Sequence, residues 1–178
     1  EGSPGKCGGF FASLRMTAFM NQKGGNMTIQ TIGIIGTGAM GGGIAQVAAQ
    51  AGYSVLLKDV NEEVTRKAID RIGKGWDKMI EKGKLTAEQK KEGAARLKPV
   101  ASLKDLAACD LVIEAVTEKK EVKEALFRER SPILKPEAIL ASNTSSISIT
   151  ALAAVFARPG QFAGMHFFNP VPVMKLVE

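Results

Sequence analysis

A glycine-rich turn constrains the fold of this chain more than any other feature of its sequence. Residues 36–41 read G-T-G-A-M-G, which fits the spacing G-x-G-x-x-G. The turn directly follows the apolar run Thr31–Ile35 and opens an Ala-rich segment, residues 39–51. A strand, a glycine turn and a helix in this order begin a βαβ unit, whose helix N-terminus binds a pyrophosphate. The sequence therefore predicts a dinucleotide-binding α/β fold.

The glycines of the turn have different functions in this prediction. Gly36 permits the tight turn, and Gly38 lets the backbone approach the pyrophosphate. Gly41 lets the helix pack closely on the sheet. Ala39 and Met40 complete the predicted cofactor-binding turn.

Asp59 is the second candidate contact to the cofactor. It follows a second predicted strand, Ser54–Lys58, about 20 residues after the glycine turn, the usual spacing for an acidic residue that binds the adenosine ribose. A carboxylate there accepts hydrogen bonds from the ribose diol and repels a 2′-phosphate, which favours NAD over NADP. The structural alternative is a tight strand–helix turn in which Asp59 caps the next helix.

Short β-rich runs alternate with helical stretches from residue 28 onward. Further strands are predicted at 100–101, 110–115, 139–142, 162–166 and 174–177, and helices at 62–97, 121–130 and 148–156. The long helical region breaks near Gly83, with Thr86 as the N-cap of its second part. We expect a Rossmann-type, doubly wound, mainly parallel sheet with a helical hairpin insertion over residues 29–178. Residues 1–28 are Gly-rich without hydrophobic period, and we expect a leader or disordered tail.

The positive charge is concentrated in one segment. The chain carries 24 Lys and Arg against 18 Asp and Glu, and residues 58–104 hold 13 of the basic and 8 of the acidic residues. A solvated helical face is the simpler interpretation, and a site for an anionic ligand is the alternative. Aromatic content of 6% and the lack of a nucleic-acid motif argue against nucleic-acid binding. No apolar run approaches the roughly 18 residues of a membrane span.

Cysteine and histidine are scarce. Cys7 and Cys109 cannot form a disulfide framework, so we predict a reducing compartment, the cytoplasm. A single histidine, His166, excludes multi-histidine metal centres, and we expect no metal.

Polar residues follow the later predicted strands. Residues 142–146 read S-N-T-S-S, which is either a polar turn with an N-cap or a substrate contact through Ser145. His166 ends one predicted strand, and Glu178 ends another twelve residues later. If the two strands are neighbours, the carboxylate can orient the imidazole and stabilise its charged form. The alternative is a structural histidine.

The sequence resembles the 3-hydroxyacyl-CoA dehydrogenase family in three blocks that occur in the family's order. They read GIIGTGAMGGGIAQ from Gly33, ASNTSS from Ala141 and HFFNPVPVMKLVE from His166. By this resemblance the catalytic pair falls on His166 and Glu178, and the substrate-contacting serine on Ser145. The nicotinamide-side contacts fall on Glu118 and Lys123.

The resemblance also implies a CoA contact and a reaction. The family's CoA-binding lysine falls near Lys82, but its serine partner falls on Gly75. The implied activity is NAD-dependent oxidation of (S)-3-hydroxyacyl-CoA to 3-oxoacyl-CoA and the reverse, as in fatty-acid β-oxidation or 3-hydroxybutyryl-CoA metabolism. Members of the family continue into an all-helical second domain that completes the acyl pocket and forms a homodimer. We expect the 178-residue chain, without that domain, to bind NAD and turn over poorly.

Other functions need different features. A gulonate-type sugar-acid dehydrogenase of the same superfamily shares the His–Glu segment. A 3-hydroxyisobutyrate or 6-phosphogluconate type of enzyme shares the G-x-G-x-M-G turn and resembles a lysine-based site. A non-catalytic nucleotide-binding module needs the glycine turn alone, and a basic nucleic-acid binder needs neither.

Overall fold

A parallel β-sheet organises the chain in the computed structural model, which describes residues 19–20, 26–130, 132–174 and 176–178. A separate antiparallel ladder pairs β1 (Phe19–Met20) with β2 (Asn26–Met27). The main sheet contains β3 (Thr31–Ile35), β4 (Ser54–Lys58), β5 (Leu97–Pro99), β6 (Leu111–Glu114), β7 (Ile139–Ser142) and β8 (Phe162–Gly164). The rest of the predicted leader lies outside the described residues.

The strand order is that of a doubly wound sheet. The six strands are arranged β5-β4-β3-β6-β7-β8, and each neighbouring pair is parallel. The chain starts in the middle at β3, moves outward to β5, and returns to β6 on the other side of β3. This reversal opens a crevice outside the carboxyl ends of β3 and β6, where open α/β sheets bind ligands. The predicted Rossmann-type fold is confirmed.

Helices cover both faces of the sheet. They are α1 (Ala39–Gln50), α2 (Glu62–Glu81), α3 (Ala87–Arg96), α4 (Lys120–Arg130) and α5 (Ile149–Ala153), with 3₁₀ helices at Leu103–Ala108 and Pro159–Gln161. Successive residues of β6 alternate between two buried clusters, because strand side chains point to opposite faces. One cluster packs under α1 and α2 and includes Ile44 and Trp76. The other packs under α4 and α5 and includes Phe127 and Leu152.

The predicted hairpin insertion consists of α2 and α3. Gly83 has a positive φ of 66° and follows the end of α2. Thr86 caps α3: its hydroxyl accepts from the Gln89 N–H, and the Gln89 side chain accepts from the Thr86 N–H. Gly93 lies against the buried Trp76 ring, where an added Cβ would be 3.0 Å from the ring. The hairpin is therefore packed against the α1 side of the sheet.

Several predicted elements differ from the structure at their ends. The strand expected at 100–101 lies at Leu97–Pro99, where it pairs with β4. Of the run expected at 174–177, the described residues 174, 176 and 177 lie in no strand, and Val177 forms one isolated antiparallel bridge with Phe167. The helix expected at 148–156 is shorter, Ile149–Ala153, with Ser148 as its N-cap. The strand expected at 162–166 ends at Gly164, because the His166 backbone turns away to pair with Glu178.

The described residues contain neither a membrane-spanning helix nor a cluster of metal ligands. No helix in the ranges given above is both long and apolar enough to cross a membrane. In the same part of the chain, no three His, Cys, Asp or Glu side chains cluster as metal ligands would.

Asp110 fixes the amino end of the sheet. Its Oδ2 accepts from the N–H groups of Gln30 and Thr31, both at 2.8 Å, and Lys135 pairs with its other oxygen. Burial alone would raise the pKa of this carboxyl, but the hydrogen bonds and the lysine outweigh it and lower the pKa below its usual value of 3.8. Ionised Asp110 therefore stabilises the native state at neutral pH.

We expect the native state to lose stability in acid through Asp110. A lowered native pKa contributes stability that is present above the unfolded-state value near 3.8 and is lost as the pH falls through the native pKa. Asp110→Asn should lower the free energy of unfolding by about 1.5–3 kcal/mol at pH 7 and flatten its decline below pH 4. Urea unfolding across this pH range measures both effects. The exposed Glu137→Gln is the control, and an unchanged pH slope in Asp110→Asn contradicts the prediction.

Candidate active site

The glycine turn lies at the carboxyl end of β3, in the crevice of the sheet. Gly36 has a positive φ of 88°, and a Cβ there would lie 2.6 Å from the Ala115 carbonyl oxygen. A Cβ on Gly41 would lie 1.8 Å from the Gly36 carbonyl oxygen. Neither position accepts a side chain, so both glycines are needed for the turn itself.

Gly38 differs from the other two glycines because it faces open space. It is the N-cap of α1, it forms no side-chain cap hydrogen bond, and no atom lies within 4 Å of an added Cβ. Ala39 begins the helix beside it, and both residues are exposed. A 12-residue helix whose N-terminus is open in this way can bind a phosphate group. The turn therefore fits the pyrophosphate of a dinucleotide.

Asp59 lies beside the glycine turn, as the ribose prediction requires. One of its oxygens accepts from the Thr37 N–H at 2.6 Å and from the Thr37 hydroxyl at 2.7 Å. Partial burial would raise the pKa of Asp59, but these bonds and the neighbouring Lys58 hold it below its usual value. The next helix is capped by Asn61, whose side chain accepts from Val64. The alternative that Asp59 serves as the helix cap is therefore wrong.

His166 and Glu178 lie side by side. Their backbones exchange two hydrogen bonds, of 2.9 Å and 3.0 Å, and His166 Nδ1 lies 3.4 Å from Glu178 Oε2. The imidazole also packs edge-on against Phe168 at 4.6 Å between ring centres. The two residues are therefore neighbours through a pair of backbone hydrogen bonds rather than through two strands of the sheet.

A cavity of about 320 Å³ brings several predicted site residues together. Its lining includes Met40 of the glycine turn, Ser145, Glu118, Lys123 and His166. The cavity therefore joins the glycine turn to the His166 segment at one edge of the sheet.

Glu118 holds the turn that carries Ser145. One of its oxygens accepts from the Thr144 hydroxyl, from the Ser145 N–H at 3.2 Å and from the Ser146 hydroxyl at 3.2 Å. Partial burial would raise the pKa of Glu118, but the Thr144 hydrogen bond and the Lys123 charge lower it below the usual 4.5. The carboxylate is therefore ionised at neutral pH. It fixes the position of Ser145.

Lys123 is buried, which its place in a charged helix did not predict. Its Nζ lies 2.6 Å from Glu114 Oε1 and 3.3 Å from Glu118 Oε2. Glu114, the last residue of β6, has no exposed surface and was not among the predicted site residues. The feature of the sequence that could have identified Glu114 as a site residue is its position at the carboxyl end of an apolar strand.

Asn143 is a second residue of the site that was not among the predicted site residues. Its side-chain oxygen accepts from the Phe167 N–H at 2.9 Å, and its own N–H donates to the Glu114 carbonyl oxygen. Asn143 therefore links the end of β7 to the residue that follows His166.

Lys82 lies in a different cavity. It follows α2 and lines a cavity of about 790 Å³ together with Gly75, Lys78, Lys84 and Pro172. The structure therefore places Lys82 apart from the 320 Å³ cavity, with residues 166–173 contributing to both.

Comparison with known proteins adds three findings. A family model described as "3-hydroxyacyl-CoA dehydrogenase, NAD binding domain" matches residues 31–178. The 3-hydroxyadipyl-CoA dehydrogenase of Escherichia coli (strain K12) is 51% identical over 152 residues, which cover 85% of this chain and 32% of that protein. A probable 3-hydroxybutyryl-CoA dehydrogenase of Deinococcus radiodurans is 52% identical over 146 residues, which cover 82% of this chain and 52% of that protein.

Solved structures show the same fold. The crystal structure of (S)-3-hydroxybutyryl-CoA dehydrogenase from Ralstonia eutropha matches with a TM-score of 0.82 and 47% identity, over 84% of this chain and 53% of that one. The chain thus spans between about a third and about half of the length of these relatives. The chain belongs to the 3-hydroxyacyl-CoA dehydrogenase family, and its residues 31–178 match the family's NAD-binding domain.

Proposed function

We propose that the protein that carries this chain oxidises (S)-3-hydroxyacyl-CoA to 3-oxoacyl-CoA with NAD and catalyses the reverse reaction. The observation that carries the proposal is the His166–Glu178 pair, whose imidazole lines the same cavity as Met40 of the glycine turn. A base for the substrate hydroxyl and the site for the cofactor thus share one cavity. The names of the two relatives, each a dehydrogenase of a 3-hydroxyacyl-CoA, support this substrate class.

The glycine turn and Asp59 bind the cofactor in this proposal. The open N–H groups at Gly38 and Ala39 hold the pyrophosphate, because the helix N-terminus carries partial positive charge. Asp59 accepts hydrogen bonds from the adenosine ribose, and Thr37 keeps its carboxylate in place. Bound NAD supplies the hydride acceptor.

His166 moves the proton. If Nδ1–H donates to Glu178, then Nε2 keeps its lone pair and can remove the proton from the substrate hydroxyl. Glu178 stabilises the imidazolium that forms, and Ser145 at the cavity wall donates to the substrate oxygen. In the reverse direction the same imidazolium protonates the alkoxide.

The cavity of Lys82 is our candidate for the phosphates of CoA. Lys78, Lys82 and Lys84 line its 790 Å³, and Pro172 and Val173 connect it to the His166 segment. Three lysines in the lining of one cavity attract a phosphate-rich ligand. Gly75 lies in the same cavity, so no serine hydroxyl contacts the ligand at that position.

The proposal also covers the domain organisation, the oligomeric state and the location of the protein. We assign residues 29–178 to one NAD-binding domain, which the family match over 31–178 supports. A homodimer in the cytoplasm, without nucleic-acid or membrane partners, is the proposed state of the protein. Sedimentation of the protein that carries this chain tests the dimer.

Acetoacetyl-CoA tests the proposed reaction. The protein that carries this chain should oxidise NADH when acetoacetyl-CoA is added, and short or long acyl-CoA substrates compared with gulonate should define the class. Turnover of gulonate without turnover of 3-hydroxyacyl-CoA contradicts the proposal. NADH binding is followed separately by energy transfer from Trp76, the single tryptophan of the chain.

We expect Glu178→Gln to slow turnover less than the loss of His166 does. Glutamine keeps a hydrogen-bond acceptor beside Nδ1 but removes the charge that stabilises the imidazolium. A hydrogen bond to a charged group contributes about 1.5–3 kcal/mol, which corresponds to a kcat lower by about 10- to 100-fold. Steady-state kinetics measure this change, with NADH affinity as the control. A kcat equal to that of the unmodified enzyme contradicts the assigned role of Glu178.

A further inference from the structure

The buried ammonium of Lys123 lies between two carboxylates of unequal exposure. Nζ is 2.6 Å from Glu114 Oε1 and 3.3 Å from Glu118 Oε2. The side chains of Glu114 and Lys123 are 0% and 1% exposed, whereas that of Glu118 is 40% exposed. Two carboxylates and one ammonium leave one net negative charge at the wall of the 320 Å³ cavity, which Glu118 and Lys123 both line.

Glu114 is held firmly at the carboxyl end of β6. Its Oε1 also accepts from the Val116 N–H at 2.7 Å, and its Oε2 accepts from the Ser142 hydroxyl at 2.6 Å. The shorter of the two Lys123 contacts is to Glu114, so Glu114 compensates the ammonium inside the protein. If Glu114 carried no charge, Glu118 would be the remaining ion-pair partner of the buried Lys123. The ammonium of Lys123 would then compensate the negative charge of Glu118.

The position of these groups in the sheet relates them to one half of a dinucleotide. Asp59 follows β4 on one side of the glycine turn, and Glu114 ends β6 on the other side. A dinucleotide that lies across this crevice with its adenosine ribose at Asp59 directs its nicotinamide half toward the β6 side. The nicotinamide ring is positively charged in NAD⁺ and neutral in NADH. A fixed negative charge beside it therefore favours NAD⁺.

We infer that Glu114 is a positioning residue that compensates Lys123, so that the negative charge of Glu118 acts on the nicotinamide half and favours NAD⁺ over NADH. The inference rests on the proposed function only for the placement of the nicotinamide half in this cavity. Glu114 itself touches neither cofactor nor substrate in this arrangement. Its effect passes through Lys123 and Glu118.

The test measures the dissociation constants of NAD⁺ and NADH by calorimetry on the 178-residue chain. Glu114→Gln keeps the shape and acceptor of the side chain but removes its charge. We expect the ratio of the NAD⁺ constant to the NADH constant to rise by about 3- to 10-fold, as for one unit charge at the edge of a partly solvated site. Lys123→Gln removes the opposite charge, so we expect the ratio to fall.

Two matched variants separate the charge from the structure. Asp110→Asn removes the carboxylate of a different lysine pair, just before the amino end of the same strand. Ser142→Ala removes a hydrogen bond to Glu114 without changing any charge. Both should leave the ratio unchanged, whatever they do to stability.

The outcomes are distinct. A higher ratio in Glu114→Gln together with a lower ratio in Lys123→Gln supports the inference. An unchanged ratio, shifts in the same direction, or the reverse pair of shifts overturn it. If Glu114→Gln does not fold, a lower ratio in Lys123→Gln supports the inference and an equal or higher ratio overturns it. The binding test contains no acyl substrate, so it is independent of the proposed reaction. The expected shifts, combined with no acetoacetyl-CoA turnover by the protein that carries this chain, would refute only the proposed reaction. Normal turnover with a fixed ratio would refute only the inference.

Discussion

His166→Gln lowers kcat for 3-hydroxyacyl-CoA oxidation by about 10²–10⁴-fold, the range that general acid–base catalysis contributes. The reason is that glutamine has no group that takes a proton at neutral pH, while its size and polarity keep the cavity filled. Glu178 remains in place but has no imidazolium to stabilise. Steady-state oxidation of 3-hydroxybutyryl-CoA by the protein that carries this chain measures the loss.

The control for this variant is cofactor binding. The glycine turn and Asp59 bind the opposite half of the cofactor in our proposal, so NADH affinity should stay within about threefold of the original, less than 1 kcal/mol. Activity retained in His166→Gln would contradict the assignment of the base. It would favour a lysine-based dehydrogenase, which shares the glycine turn.

Gly41→Ala is the second change with a large expected effect. Its methyl carbon would lie 1.8 Å from the Gly36 carbonyl oxygen and 3.3 Å from Ile34, so α1 must move away from β3. We expect the free energy of unfolding to fall by more than about 3 kcal/mol, because the clash involves backbone that cannot rotate away. Thermal and urea unfolding of the 178-residue chain measure this loss.

Two other glycines provide matched controls. Gly38→Ala places its methyl group in open space, and alanine is only a somewhat poorer N-cap than glycine, so stability should fall by less than about 1 kcal/mol. The same methyl group occupies the approach to the helix N-terminus, so NADH binding should weaken. Gly73→Ala, in the middle of α2 with nothing within 4 Å, should raise stability by about 0.5–1 kcal/mol. Equal stability losses at all three positions would contradict the geometric argument.

The first two strands of the main sheet were predictable from local sequence alone. Strands β3 and β4 have the predicted bounds because each is an apolar run bounded by Gly, Asp or a change to polar residues. The break at Gly83 and the cap at Thr86 are also local signals that the structure confirms. These features depend on a few neighbouring residues, which a single sequence contains.

The errors occur where long-range pairing decides the structure. β5 contains Lys98 and Pro99, which disfavour a strand, and it forms because β4 offers an edge for pairing. The segment before Glu178 is predicted as a strand, but the one pairing found among its described residues is an isolated bridge between Val177 and Phe167. Propensity cannot show which edge is available, so these boundaries could not be predicted.

In the candidate site, too, some residues could be predicted from local sequence and others could not. The glycine turn and Asp59 belong to a spacing that can be read directly, whereas Glu114 and Lys123 required the fold. Charged residues are almost never fully buried unless they are paired, so a lysine in a charged helix is expected on the surface. The fold brings these two charges together, because α4 places Lys123 at the carboxyl end of β6, where Glu114 lies.

Gly43 lies where α1 packs closely against the segment that follows His166. An added Cβ at this position would lie 2.8 Å from the Val171 Cβ, so α1 and the segment after His166 touch where one of them has no side chain. α1 begins at the glycine turn, and Val171 lies between His166 and Glu178. A side chain at position 43 would therefore require a smaller residue at position 171 or a displacement of one of the two segments. The spacing between α1 and the segment that carries His166, distant in sequence, thus depends on the absence of a side chain at one residue.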